Sequence, residues 1–346
     1  EQLVIFLLTL ITTLLGGIIL GISVGIVSTF LIHVLINKSF FLFSRNLLKP
    51  NVLMYREEGS GNYYVSVKSF CSFLNFYKLK RMLDEIPEQD HAIIDFSLCQ
   101  FVDHTVMEGV NDYRRVFSRK GGIFEIIGLD IHLADTEHPF AIRKVLPIKE
   151  FFKLRNNLTK RQLSLEKLSK ILNLNYNPEM TSESKNLDQF LYFKTKLINY
   201  QNNQLTSVEN NFSFFDLSYS EGAFISKEDL SASFFLIDLK EKIPSFILDK
   251  ERFLGSLSER LRYHDLDFKA HPDFSNRFFL SGSDQLAVRS LFKGSLIAFF
   301  ERSAEFYIES RRSQLLIKRK DRLLSIEEIK SLFTFSTELV SILKNK

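Results

Sequence analysis

The chain has 346 residues, which is long enough for two or three domains, and its composition of 45% hydrophobic and 25% charged residues is ordinary for a globular protein. Its net charge of +4 is too small to indicate a nucleic-acid partner. Two cysteines, Cys71 and Cys99, exclude a disulfide framework and indicate reduced thiols in a cytosolic compartment.

The chain opens with an apolar run that contains no Asp, Glu, Lys or Arg between residues 2 and 32. A membrane-spanning helix needs about 20 such residues to cross a hydrocarbon core of ~30 Å. The run is longer than one span requires, and the pair Gly16-Gly17 near its middle favours a break. We therefore predict two short transmembrane helices, about 3–15 and 18–36.

Basic residues follow the apolar run, at Lys38, Arg45 and Lys49. By the positive-inside rule they place everything after about residue 38 in the cytoplasm, with the helices in the cell (inner) membrane. A cleaved signal peptide is the disfavoured alternative, because its basic residues would precede a shorter apolar core. The chain begins with Glu1 instead of Met, so we expect that its natural start lies further upstream.

Small residues recur at every fourth position of the second helix, at Gly17, Gly21 and Gly25. In a membrane, such a stripe lets neighbouring helices approach closely. We interpret it as a packing surface in preference to an ion pathway, because no charged group in this segment could bind an anion.

An alternating α/β rhythm covers residues 50–147. Strand-like segments lie at 63–67, 91–96 and 123–127, and apolar residues at helical spacing lie at 73–86 and 104–119. Strands that alternate with helices of this length predict a mixed or parallel sheet with helices packed on it.

Two motifs in this region resemble a known family. A hydrophobic strand ends in Ile94-Asp95-Phe96-Ser97, and Phe101-Val102-Asp103-His104-Thr105 then opens a helix, a combination that resembles the STAS domain. The opening 4–9 and the glycine stripe look like the last two membrane helices of SulP (sulfate permease) anion transporters. Both resemblances occur in the family's order and together cover about residues 1–147. His104 departs from the commonest pattern, in which a hydroxyl residue stands at this position.

The SulP resemblance implies secondary active transport of an inorganic anion such as sulfate or bicarbonate. The anion would bind in an N-terminal transmembrane bundle that precedes this chain, and the STAS domain would act as a cytosolic regulatory and dimerising module. The implied partners are membrane lipid, that bundle and a second copy of the chain in a homodimer. We expect no enzymatic activity, cofactor, metal or nucleic acid. The alternative is a membrane-anchored STAS regulatory protein that is switched by phosphorylation.

The loop Asp103-His104-Thr105 carries the candidate site. Asp103 stands where a helix N-cap belongs, and a carboxylate there can accept hydrogen bonds from free amides of the first turn. In bacterial anti-sigma-antagonist relatives, the second hydroxyl-bearing position after the Asp accepts a phosphate, and Thr105 stands there in this chain. A phosphate on Thr105 would gain from the amides at the helix end. A plain capping role is the preferred interpretation.

We assign residues 1–38 to the last two transmembrane helices, 50–147 to the STAS domain and 148–210 to a helical linker. The linker contains a basic run at 149–170 that includes Arg161; this run is either a solvated face, which we favour, or a surface for anionic lipid. A flexible stretch at 173–186 and a helix at 187–204 complete it.

Residues 211–346 form the last assigned domain, an α+β domain with an antiparallel sheet flanked by helices. Strand-like runs lie at 212–219, 233–239, 265–270, 276–280, 305–309 and 314–318, and helices are predicted at 284–301 and 325–344. Ser325 and Glu328 form a capping box for the last helix. The densest polar chemistry lies at His264, Asp265, His271 and Asp273. We interpret it as a turn in preference to a metal site, because the two histidines need not converge.

Overall fold

The computed structural model describes residues 2–37, 51–134, 136, 138–145, 158–182, 187–207, 211–222, 228–239, 241–250, 266–304 and 306–344. These ranges contain a pair of N-terminal helices, a first unit (51–145) built on a mixed sheet with helices, and a second unit (158–344) built on an antiparallel sheet. The predicted multi-domain α/β organisation, with a mixed sheet followed by an antiparallel sheet, is therefore confirmed.

Helices α1 (Gln2–Gly16) and α2 (Ile18–Asn37) pack against each other and agree with the predicted segments. Gly17 separates them with a φ of +85°, a conformation that favours glycine. The stripe has a packing role at Gly21, where a β-carbon would collide with Thr13, and at Gly25, where it would lie 2.8 Å from Thr9 Oγ1.

In the part of the chain that the structure describes, no helix has both the length and the apolar character that crossing a membrane requires. The membrane position of α1 and α2 therefore stays a prediction. The basic residues Lys38, Arg45 and Lys49, which were used to orient the chain, lie outside the described residues.

The first unit contains the predicted alternation of strands and helices. Its strands are β1 (Asn51–Arg56), β2 (Tyr63–Cys71), β3 (His91–Asp95), β4 (Cys99–Val102), β5 (Ile123–Ile127), β6 (His132–Ala134) and β7 (Arg143–Val145). Its helices are α3 (Phe73–Asp84) and α4 (His104–Arg119). The sheet order is β5-β3-β2-β4-β7-β6, with β1 antiparallel to β2. The three pairings β2–β3, β2–β4 and β3–β5 are parallel, whereas β4 pairs with β7 in the antiparallel sense. Helices α3 and α4 form the crossover connections from β2 to β3 and from β4 to β5.

The two faces of this sheet are covered by different parts of the molecule. On one face, Val65 and Ile94 join Leu79 of α3 and Val106 of α4 in the hydrophobic core of the first unit. Alternate residues of the same strands point to the other face, as a side-chain period of two requires. That face contacts the second unit.

The second unit contains strands β8 (Asn175–Asn177), β9 (Lys196–Ser207), β10 (Phe212–Glu221), β11 (Glu228–Asp238), β12 (Phe246–Lys250), β13 (Phe278–Gly282), β14 (Tyr307–Arg311) and β15 (Gln314–Lys318). They form a fully antiparallel sheet in the order β13-β12-β14-β15-β11-β10-β9-β8. The helices are α5 (Lys160–Ile171), α6 (Pro272–Arg277), α7 (Gln285–Leu291), α8 (Ser295–Arg302) and α9 (Ile326–Lys344). Many of the phenylalanines fill the core between this sheet and its helices.

Several boundaries differ from the sequence-based predictions. The predicted helix at 187–204 is wrong. This segment has two short 3-10 turns and then the start of β9, which is rich in polar residues and pairs with β10. The linker assigned to 148–210 therefore contributes β8 and β9 to the second sheet. The predicted helix at 284–301 is two helices, because Gly294 with a φ of +47° interrupts it.

Two strand predictions in the second unit also need correction. The run at 265–270 contains no strand in its described part, 266–270, and β12 was not predicted. The predicted capping box is present: Glu328 N donates to Ser325 Oγ at 3.3 Å, and Ser325 N donates to Glu328 Oε2 at 2.9 Å.

Candidate functional site

Asp103 is the N-cap residue of α4 and is almost completely buried. Its Oδ1 accepts a hydrogen bond from Val106 N at 2.8 Å, and its Oδ2 accepts one from Phe73 N at 2.5 Å, at the start of α3. Burial raises the pKa of Asp103, while the amides of Val106 and Phe73 oppose the rise. A single carboxylate therefore ties together the first turns of two helices, a role that exceeds the simple cap predicted from the sequence.

The two residues after Asp103 differ in exposure. His104 is half-buried, and its Nδ1 lies 2.8 Å from Phe140 O, which joins the start of α4 to the segment before β7. Its other ring nitrogen, Nε2, lies 3.9 Å from Glu108 Oε2. Thr105 is exposed in the first turn of α4. A hydroxyl at this position is accessible to another protein, whereas the carboxylate of Asp103 is not.

The end of β3 forms a second polar corner. Asp95 Oδ1 accepts from Ser97 N at 2.7 Å and from Ser97 Oγ at 2.5 Å, and Asp95 Oδ2 accepts from Tyr64 OH at 2.6 Å. A β-carbon on Gly128, which has a φ of +79°, would collide with Ser97, so the chain passes close to this corner directly after β5. The hydrogen bonds from Ser97 to Asp95 thus hold the turn that ends β3, so the Asp95-Phe96-Ser97 motif has a structural role.

A buried charge cluster joins the two units, and the sequence did not predict it. Arg161, on α5, is only 5% exposed. Its Nη1 donates to Asp130 Oδ2 of the first unit at 3.1 Å and to Asp216 Oδ2 of the second unit at 2.6 Å. Its Nη2 donates to Leu324 O at 3.1 Å. The prediction that the basic run is a solvated face is therefore wrong at Arg161.

Neutral side chains complete this cluster. Asn203 Nδ2 donates to Asp130 Oδ2 at 2.9 Å and to Asp216 Oδ2 at 3.0 Å, and Ser233 Oγ donates to Asp216 Oδ1 at 2.5 Å. Burial would lower the pKa of Arg161, but the charges of Asp216 and Asp130 outweigh it and raise the pKa. The guanidinium therefore stays charged and binds one carboxylate from each unit.

No group of three or more His, Cys, Asp or Glu side chains that could hold a metal ion occurs within the described ranges. His271 Nδ1 lies 3.1 Å from Glu301 Oε1, and Asp273 lies in the first turn of α6, so these two residues take part in a helix start. His264 and Asp265 lie outside the described residues.

No family model matches the chain, and no curated protein matches it. Among solved structures, it is similar to the STAS domain of an antisigma-factor antagonist from Rhodobacter sphaeroides, with a TM-score of 0.19 and 14% identity. The match covers 23% of this chain and 87% of that chain. The similarity is to a STAS domain and does not show the SulP family. At this TM-score we base no argument on it.

Proposed function

We propose that this chain is the C-terminal part of a SulP-type secondary active anion transporter, with the first unit as its STAS regulatory domain. The observation that carries the proposal is the order of parts: two apolar helices packed through Gly21 and Gly25, then a unit in which strands alternate with α3 and α4 and Asp103 is the N-cap of α4. The SulP motifs occur in this order, and the Asp103 loop lies at the end of the parallel strands, where it is accessible through Thr105.

In this proposal α1 and α2 lie in the cell membrane in contact with lipid and with a preceding transmembrane bundle. That bundle binds an inorganic anion, of the sulfate or bicarbonate type. The first unit lies in the cytoplasm and regulates transport, as part of a homodimer. Transport by the chain alone is not expected, because it contributes no charged group within the apolar segment.

The test begins with the gene. Its reading frame upstream of the Glu1 codon should encode ten or more further hydrophobic segments. The full reading frame, expressed in cells that lack sulfate uptake, should then accumulate radiolabelled sulfate or bicarbonate. The variant Asp103→Ala should alter the uptake rate at equal expression, whereas Asp112→Ala, an exposed aspartate on the same helix, should not. A start codon within a few residues of Glu1, or no uptake of either anion, contradicts the proposal.

A membrane-anchored STAS regulator is the second candidate, and the exposure of Thr105 favours it. A phosphate on Thr105 would sit at the N-terminal end of α4, where the helix dipole favours negative charge. Mass spectrometry of the protein isolated from its own cells should then find a phosphate on Thr105, and Thr105→Ala should remove it. Isolated protein without this modification under any growth condition argues against the regulator.

A further inference from the structure

The face of the first sheet opposite α3 and α4 is here called the open face and is defined by Tyr64, Ile93 and Ile127. These three residues are 7%, 0% and 1% exposed, although the helices of their own unit pack on the other side. They form one hydrophobic cluster with Leu323 of the second unit, which is itself 6% exposed. The second unit therefore supplies the side chain that covers the open face.

Two acidic residues lie at the edge of this apolar centre. Glu57, directly after β1, binds Arg322 side-on, with Oε1 2.7 Å from Nε and Oε2 2.8 Å from Nη2. On another side, Glu125 Oε2 accepts a hydrogen bond from Ile326 N at 3.0 Å, at the first residue of α9. The surface thus has an apolar centre with carboxylates at its edge.

The segment 320–326 is complementary to this surface in both respects. Leu323 meets the apolar centre, and the basic residues Lys320 and Arg322 meet Glu57 at the edge. The Arg322 guanidinium also lies 5.1 Å from the ring centroid of Tyr64, within cation-π distance. A leucine that follows two basic side chains therefore matches an apolar patch with the Glu57 carboxylate at its edge.

Hydrogen bonds within the second unit fix the conformation of this segment. Arg322 Nη1 and Nη2 each donate to an oxygen of Glu328 at 2.8 Å, and Leu324 N donates to Ser233 Oγ at 2.9 Å. Burial would raise the pKa of Glu328, but its hydrogen bonds with Arg322 outweigh this and lower it. The segment runs directly from β15 into α9, so the fold of the second unit presents it in a fixed conformation.

We propose that the open face is a docking surface for a basic-leucine segment, and that residues 320–326 of the same chain occupy it. The second unit thereby closes this face of the first unit to other partners. A protein that binds the first unit, a second copy included, must then approach elsewhere, at α3, α4, the Asp103 loop or an edge of the sheet such as β1 or β5. The proposal rests on these contacts alone and stands whether or not the chain belongs to a transporter.

Fluorescence offers a direct test, because the chain contains no tryptophan. Leu323→Trp places a unique fluorophore in the open face, and Leu286→Trp places one at a residue that is 82% exposed. Measured on the full chain in detergent, the indole of the Leu323→Trp variant should emit at shorter wavelength than that of the Leu286→Trp variant. It should also resist acrylamide quenching several-fold better. Its protection should not change on dilution, because the segment and the surface belong to one chain.

The proposal is overturned if acrylamide quenches the tryptophans of the Leu323→Trp and Leu286→Trp variants equally and both variants have the circular dichroism spectrum of the parent chain. Loss of protection on dilution also overturns it, because the segment would then come from a second copy. In the Leu323→Trp background, Arg322→Gln should increase quenching, whereas Arg312→Gln, at an exposed turn arginine, should not.

A second measurement covers the case in which Leu323→Trp does not fold. Glu57→Gln and Arg322→Gln should each lower the denaturation midpoint of the otherwise unchanged chain. Because both remove the same contact, their combined effect should be smaller than the sum of the single effects. Additive effects would show that Glu57 and Arg322 do not act together and would overturn the proposal.

Discussion

Replacing Arg161 by methionine tests whether charge pairing joins the two units. Methionine keeps the length and apolar stem of the side chain but removes its hydrogen bonds to Asp130, Asp216 and Leu324 O. Two buried carboxylates then remain close together, since both still accept from Asn203 Nδ2, at 2.9 and 3.0 Å. The perturbation is therefore the loss of the cation from a cluster that it shares with two anions.

Breaking a buried ion pair by removing one partner costs about 3–5 kcal/mol, because an uncompensated charge stays buried. The hydrogen bonds from Asn203 and Ser233 persist, and the desolvation cost of Arg161 itself disappears. Both effects place the expected loss near the lower end, at about 3 kcal/mol. Such a loss is a large fraction of the total stability of about 5–15 kcal/mol that is typical of a domain.

The assay is urea denaturation of the full chain in detergent, with circular dichroism as the measured signal. Lys170→Met is the matched control, because Lys170 lies on the same helix in an exposed pair with Glu166 and should contribute less than about 1 kcal/mol. Adding Asp130→Asn and Asp216→Asn to Arg161→Met should recover part of the loss, because it removes the unpaired charges. Equal losses for Arg161→Met and Lys170→Met, or no recovery in the triple variant, would refute the reasoning.

Three further predictions concern single residues. Asp103→Ala should destabilise the chain by about 2 kcal/mol in the same denaturation assay, because it removes hydrogen bonds to both Val106 N and Phe73 N, each contributing about 1 kcal/mol. Burial lowers the pKa of His132 from 6.5 to about 4, so the folded chain binds fewer protons than the unfolded chain between these values. Stability should be full above pH 6.5 and fall by up to about 3 kcal/mol towards pH 4, and His132→Gln should flatten this part of the profile. Burial raises the pKa of Asp249 from 3.8 to about 6, so its contribution is full below pH 3.8 and is lost as the pH rises through 6. Asp249→Asn should therefore increase stability at pH 8 by about 1–3 kcal/mol, and an unchanged midpoint there would contradict the burial argument.

Strands β2, β3 and β5 and both helices of the first unit could be predicted because their sequence patterns are local, whereas β1, β4, β6 and β7 were not predicted. β3 is a short apolar run, α4 has apolar residues at helical spacing, and Asp103 stands directly before that helix. The hydrogen bond from Phe73 N to Asp103 could not be predicted in the same way, because it joins residues 30 positions apart. Local patterns thus predict the elements and the cap, while the link between the two helices depends on how the sheet brings their first turns together.

The second unit shows where such reasoning fails. Most of β9 falls in the segment 187–204 that was predicted as a helix, and its residues Gln201, Asn202 and Asn203 are of types that are not enriched in strands. In the structure these side chains are buried, and Asn203 serves the cluster around Asp130 and Asp216. Arg161 was assigned to a solvated face because it belongs to a run of basic residues. Its partners lie 31, 55 and 163 residues away along the chain, where no local pattern reveals them. A buried polar residue on a strand or helix can be recognised only from its distant partners.

The buried charge clusters around Arg161 and Arg322, which both join the two units, have the same arrangement. Each is centred on an arginine of the second unit, and each arginine binds one carboxylate of its own unit and one of the first unit. Removing the first unit would leave Arg161 paired with Asp216 and Arg322 paired with Glu328. The second unit thus keeps its buried charges neutralised without the first.

The first unit has no such arrangement. Without the second unit, its open face would expose Tyr64, Ile93 and Ile127 to solvent as a contiguous apolar patch, and Glu57 would lose Arg322. Exposed patches of this kind promote association. Expressed separately, residues 158–344 should therefore be soluble and folded, while residues 51–145 should aggregate or self-associate. The second unit would lose the apolar cover of Leu323 and the hydrogen bond from Ile326 N to Glu125, but both of its arginines would keep a carboxylate partner. The first unit would lose the cover of three apolar residues and the cation that pairs with Glu57, so we expect it to depend more strongly on the second.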